Sequence, residues 1–299
     1  MLLRRPLPRT LSVILCAMGL SLLLGACDRS STGGATPPDQ ETLQTARIVT
    51  EFRGDPSDAW AVFDEETYQY DDRGRRVSVK NIRYLGGDPI TETRDTLRYT
   101  AEGAYEARVS WTKQLRGTDE PFVQNPGDRA IEYDAEGRAT VLLFPSDNLN
   151  PSSRVTQSYA DGRDTFFEPK RAVIERRTSE GWQFITRSTV EDDDAYGYIT
   201  ALRVESWDAD AQAWTFTSRR EITERDASGQ AIRGREITPT DTSEVTYERN
   251  ANGTVAVVTY AQESTQYRFR YEYVQVPAGA DARSTQVPPG KKLRPSAAP

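Results

Sequence analysis

The side chains best equipped for nucleophilic or acid–base chemistry are nearly missing from this chain. It has no histidine, and its only cysteines are Cys16 and Cys27. Residues 28–299 therefore offer neither an imidazole nor a thiol. That excludes histidine-based triads, cysteine nucleophiles, zinc sites of the usual His/Cys type and internal disulfides there. Carboxylates remain. The densest set is Glu191-Asp192-Asp193-Asp194, followed by Ala195-Tyr196-Gly197. Clustered hard oxygens of this sort suit calcium, but the regular ligand spacing of a calcium loop and its terminal bidentate glutamate are absent. As the hairpin tip at this point in the repeat, the run is better explained as a solvated turn. Asp208 and Asp210, ahead of Trp214, form a similar Asp-x-Asp turn. Sugar hydrolysis would need two carboxylates about 5 to 10 Å apart across a cleft, and no spacing here marks such a pair. The chain is expected to have no catalytic residue, no metal site and no cofactor.

The aromatic residues have more to offer: five Trp, 14 Tyr and nine Phe. Trp182, Trp207 and Trp214 lie close in sequence. On a sheet such faces can stack on sugar rings or meet a partner, and they also serve as ordinary cross-strand packing. Arginine outnumbers lysine 33 to 5, which suits pairing with Asp and Glu across strands.

The amino-terminal segment has its own chemistry. Arg4, Arg5 and Arg9 precede Leu11 to Ala26, sixteen residues without a charge. That is shorter than the roughly 20 residues a bilayer span requires and has the layout of a secretory signal. Its exit, Leu24-Gly25-Ala26-Cys27, resembles the lipobox of bacterial lipoproteins. The resemblance implies cleavage before Cys27, a diacylglycerol thioether on its sulfur and acylation of the new amino terminus. Two or three acyl chains hold a protein to a membrane where one binds only marginally. The implied location is the bacterial cell envelope, on its periplasmic or surface-facing side. Asp28 resembles an inner-membrane retention signal of enteric bacteria, a rule that does not extend to all phyla, so either membrane stays open.

Removal of residues 1–26 leaves 35 basic and 45 acidic groups, a net charge of -10. An acidic surface disfavours nucleic acid and anionic lipid. The acyl chains, not a basic patch, are then the membrane contact, with an envelope protein or a glycan as the candidate partner.

The elements behind these residues read as strands. Segment 27–46 is rich in Ser, Thr, Gly and Pro and suits a flexible tether. Segment 277–299 has five prolines and no aromatic, as a disordered tail would. Between them, residues 47–276 alternate with period two. Tyr267, Phe269, Tyr271 and Tyr273 face one way, and Arg268, Arg270 and Glu272 the other. In Ile90 to Tyr99, Glu92, Arg94 and Arg98 share one face and Asp95 takes the other, which a lipid-facing strand would not tolerate.

Turn signals punctuate the strands. Tyr70-Asp71-Asp72-Arg73-Gly74-Arg75 and Tyr133-Asp134-Ala135-Glu136-Gly137-Arg138 are the clearest, with degenerate copies ending at Gly103, Gly162, Gly229 and Gly253 and a longer one at Gly197. In each, an Asp, Asn or Thr can open a type I turn while Gly takes the left-handed bulge position. A second register repeats after 32 residues: Trp182, Phe184 and Arg187 correspond to Trp214, Phe216 and Arg219. Trp60 with Gly74 fits a third copy. The long polar connection Phe144 to Arg154 is either a binding loop or a crossing between repeats.

The Tyr-Asp-x-x-Gly-Arg element resembles the YD repeat of bacterial RHS-type proteins. The resemblance implies an all-β, extended antiparallel meander of repeated hairpins, about 14 to 16 strands long, each packing on its neighbours. A two-sheet sandwich or a closed soluble barrel would use the same strands and turns. The function expected is that of a lipid-anchored, non-catalytic binding or structural module. The alternative is a lipoprotein that binds or hydrolyses carbohydrate through sheet aromatics and carboxylates.

Overall fold

Among the described residues, alternating side chains and tight turns build sixteen antiparallel strands. The computed structural model describes residues 42–116, 120–135, 137–144, 151–159, 169–193, 199–262 and 265–276. The first eight strands are β1 (Thr42–Arg53), β2 (Ala61–Tyr70), β3 (Arg76–Leu85), β4 (Asp88–Tyr99), β5 (Tyr105–Gln114), β6 (Val123–Tyr133), β7 (Ala139–Phe144) and β8 (Ser153–Ser158). The second eight are β9 (Arg171–Thr178), β10 (Gly181–Asp193), β11 (Ile199–Asp208), β12 (Ala213–Arg225), β13 (Ala231–Ile237), β14 (Thr242–Arg249), β15 (Val255–Ala261) and β16 (Gln266–Val276). Each strand pairs with its sequence neighbours, and β1 pairs with β16 to close a barrel. The all-β, hairpin-by-hairpin expectation holds. The open, extended sheet does not: closure removes both unpaired edges, which would otherwise invite association.

Closure also moves a boundary. β1 starts at Thr42, inside the segment 27–46 read as tether, because Thr42, Leu43, Gln44 and Thr45 pair with Val276, Gln275, Val274 and Tyr273. The first four residues of β1, with Leu43 their one apolar side chain, resemble a linker until their remote partner is known. Cys27 and the segments 1–26 and 277–299 lie outside the described residues, as do Gly162 and Gly197.

The predicted turn chemistry is present at five hairpins. Gly74, Gly103, Gly137, Gly229 and Gly253 all have positive φ. Each donates its amide to the carbonyl of the residue three before it, as in Gly74 to Asp71 (3.0 Å) and Gly253 to Asn250 (2.9 Å). The Asp71 carboxylate accepts the amides of Arg73 (3.0 Å) and Arg75 (2.8 Å), fixing the type I turn from inside. All five lie at the barrel end that also holds the start of β1 and the end of β16.

The flanking residues of the Tyr-Asp-x-x-Gly-Arg element acquire distinct tasks. The tyrosine hydroxyl donates to a carbonyl of the preceding strand: Tyr70 to Thr45, Tyr99 to Arg76, Tyr133 to Tyr105 and Tyr159 to Ala139, at 2.6 to 2.8 Å. Tyr273 does the same to Val255 (2.8 Å). Where arginine replaces tyrosine ahead of the turn, Arg249 reaches the Ala231 carbonyl (3.4 Å) in the equivalent position. The arginine after the glycine ties forward. Arg75 and Arg138 bond the aspartate of their own turn and stack on Tyr99 and Tyr159 of the next hairpin, 4.6 and 4.7 Å from the ring centroids.

One face of the wall is apolar and buried. Leu97, Tyr105, Ala130, Ala139, Leu142, Val155 and Ala172 form one cluster, with Leu142 fully enclosed. Val245, Tyr247, Val255 and Val258 form a second, and Val190, Ile199, Leu202 and Val204 a third. In a closed barrel this enclosed face points inward, and alternate residues face out.

Candidate functional site

The outward face is a ladder of arginine and glutamate. Register places Glu51 opposite Arg268 and Val49 opposite Arg270. Both arginines donate to Glu51 Oε2, at 2.5 and 2.8 Å. Arg47 bridges Glu65 (2.9 Å) and Glu272 (3.0 Å). Arg154 grips Glu175 through two nitrogens at 2.6 Å, and Arg187 reaches Glu205 at 2.5 Å. Burial alone would raise the Glu51 carboxyl, but Arg268 and Arg270 outweigh it and hold it below the usual range. Arg47 and Arg187 do the same for Glu65 and Glu205. On β4, Glu92, Arg94 and Arg98 share this face as predicted, with Arg94 bonded to Glu92 at 2.6 Å.

Tryptophan and phenylalanine gather at the barrel end away from the Asp-x-x-Gly turns. Every described Trp and Phe lies within four residues of a strand end on that side, or just beyond it. Of the three tryptophans singled out by sequence, the structure joins two. Trp207 and Trp214 are register partners with ring centroids 5.2 Å apart, and Phe184 meets them at 5.3 and 5.4 Å. Trp182 lies instead under Arg154 (4.9 Å). The 32-residue repeat explains the contact: β10 and β12 flank β11, so matching residues share one face. Arg187 of the first copy consequently stacks on Trp214 of the second, at 4.6 Å. Phe184 and Phe216 remain 42% and 38% exposed. Trp60 is partly buried and is covered by Arg53 (4.4 Å) and Arg268 (4.3 Å), both within stacking distance of its ring.

Of the acidic run, Glu191 and Asp192 are engaged by other strands, whereas the Asp193 side chain and residues 194–197 lie outside the described ones. Glu191 accepts Arg219 at 2.8 Å, and Asp192 is bonded by Arg225 and by Thr200. Asp208 accepts the amides of Asp210 and Ala211 at 3.0 Å, a local turn. Among the described residues no group of three or more acidic or cysteine side chains converges as metal ligands. The loop Phe144 to Arg154 is outside the described residues between 145 and 150.

A second polar site lies on the inward face, where sequence reasoning had marked nothing. Asp64 and Glu66 of β2 project inward with Tyr68. Asn81 of β3 donates its amide nitrogen to Asp64 Oδ2 (2.8 Å) and Glu66 Oε1 (3.4 Å). Tyr68 donates its hydroxyl to Glu66, and Arg76 stacks over the Tyr68 ring at 4.3 Å. Burial pushes Asp64 up to about 6 and Glu66 up to about 7. Further along the same wall, Asp128 accepts the Tyr105 hydroxyl and pairs with Arg108 (2.9 Å), which also approaches Asp95 (3.4 Å). Burial raises Asp128 and Arg108 opposes it. The signal for Asp64 and Glu66 was their period-two alignment with Tyr68. The intervening Glu65 obscured it by making the run look like a solvated charge cluster.

No protein-family model matches the chain, and no curated protein matches it in sequence. Among solved structures it is similar to a porin-like protein from Bacteroides uniformis, with a TM-score of 0.44, 14% identity and coverage of 77% of this chain and 98% of that one. It is also similar to a porin-like protein from Bacteroides vulgatus, with a TM-score of 0.32, 9% identity and the same two coverages.

Proposed function

We propose that this chain is a lipid-anchored module of the bacterial cell envelope that acts by binding or structural support, without catalysis. The observation that carries the reading is the outward Arg–Glu ladder, which runs through β16, β1 and β2 and recurs at β8–β9 and β10–β11. Charged side chains at the middle of a lipid-facing wall are strongly disfavoured, so the barrel wall suits water. Membrane attachment then falls to Cys27 in Leu24-Gly25-Ala26-Cys27. The start of β1 shares a barrel end with the Asp-x-x-Gly turns. A tether there directs the Trp- and Phe-rich end, with Phe184 and Phe216 exposed, away from the anchor toward an envelope partner.

Metabolic labelling with a radioactive fatty acid tests the anchor. The wild-type chain takes up label and Cys27→Ser does not. When residues 1–27 are exchanged for a cleaved secretory leader without cysteine, the barrel appears in the soluble envelope fraction. An unlabelled wild-type chain, or a barrel that stays with the membrane under that leader, overturns the reading.

A further inference from the structure

We propose that Asp64 and Glu66 share a proton on the inner wall and form a pH-sensitive lock, closed when the proton is held and loosened when it leaves. Two carboxylates two residues apart on one strand face are drawn to the same amide nitrogen, that of Asn81. Glu66 is only 7% exposed. Its acceptors are served by Tyr68 and Asn81. Asp64 Oδ1 is buried without a hydrogen-bond partner. A second negative charge placed here would be desolvated and adjacent to the first, the arrangement in which one of two carboxyls keeps its proton.

The surroundings do not cancel that charge. On β1 the register neighbours of Asp64 and Glu66 are Thr50 and Ile48, which do not titrate. On β3, Arg83 acts on Asp64 and Arg76 on Glu66, each lowering the carboxyl by less than burial raises it. On β2 itself, Tyr68 donates to Glu66 and Glu65 adds a repelling charge to Asp64. The sign follows: the folded state holds the proton more tightly than the unfolded chain. Stability from this pair is complete below the ordinary carboxyl values and is lost as pH rises through about 6 to 7.

The test compares thermal unfolding of the full chain, Asp64→Asn and Glu66→Gln between pH 5 and pH 8. The wild-type midpoint should fall by several degrees over this range. Glu66→Gln should flatten most of the fall and melt above wild type at pH 8. The same fall in Glu66→Gln, or a flat wild type, overturns the lock. Infrared titration of wild-type protein covers the case in which a variant fails to fold. A protonated-carboxyl band should disappear near neutral pH, with the Tyr68 ring mode shifting in step. Asp128 could contribute a band of its own, so a band that disappears while the Tyr68 mode stays still counts against the pair.

Discussion

Tyr133 and Gly127 show how single residues are bound to positions set by a neighbouring strand. The Tyr133 hydroxyl meets the Tyr105 carbonyl at 2.8 Å. Phenylalanine would keep the ring and leave that carbonyl short of a donor. Tyr133→Phe should cost about 1 kcal/mol, read as a lower denaturant midpoint with an unchanged slope. Gly127 has a different constraint: a Cβ there would lie 1.7 Å from the Arg108 carbonyl oxygen. Gly127→Ala must push β5 and β6 apart beside the Arg108–Asp128 pair, so it should yield little folded protein by circular dichroism and expression yield. Neither requirement can be read from a lone tyrosine or glycine in the sequence, because each depends on what the adjacent strand brings.

At the scale of elements, the unit is the hairpin plus its link to the next. Asp71 and Asp134 close their own turns, and the following arginines stack on Tyr99 and Tyr159 one hairpin further on. Local sequence therefore announces both the turn and the repeat. The 32-residue register of Trp182 and Trp214 was legible for the same reason. Its consequence was not, since sequence spacing placed Trp182, Trp207 and Trp214 together as one set. The β10–β11–β12 register instead selects Phe184, Trp207 and Trp214. Trp214→Ala should remove this cluster and the Arg187 stack. For a half-exposed ring the expected loss is about 2 kcal/mol, below the range of roughly 3 to 5 for a fully buried one, measurable by chemical denaturation. Phe216→Ala, on an exposed ring of the same strand, should cost much less.

At the scale of the molecule, two carboxylate populations oppose one another with pH. Glu51, Glu65 and Glu205 are held low by arginines on the outer wall. Their contribution is present above the ordinary value of 4.5 and is lost as pH falls below it. Asp64 and Glu66 inside act in the opposite direction. Stability should therefore peak in mildly acidic solution and decline on both sides, with high salt weakening the acid limb more than the neutral one because the arginines of the outer pairs are partly exposed to solvent. A melting profile that rises steadily from pH 5 to pH 8 would contradict this balance. Closure makes a separate prediction. A chain lacking β1 leaves β2 and β16 as open edges, and it should run as a large aggregate on size exclusion where the intact barrel elutes as a discrete species.

The strand alternation, the Asp-x-x-Gly turns and the split of charge across β4 are short-range matters, settled within one strand or one hairpin, and the amino-acid sequence determined them unaided. Closure depended on β1 pairing with β16, whose partners Thr42 and Val276 stand at opposite ends of the domain. No local propensity reports such a pairing, and open and closed sheets use the same strands. Only tertiary structure could decide it, and with it which face turned inward. That decision is what buried Asp64 and Glu66 and left Arg268 and Arg270 on the outside, holding Glu51.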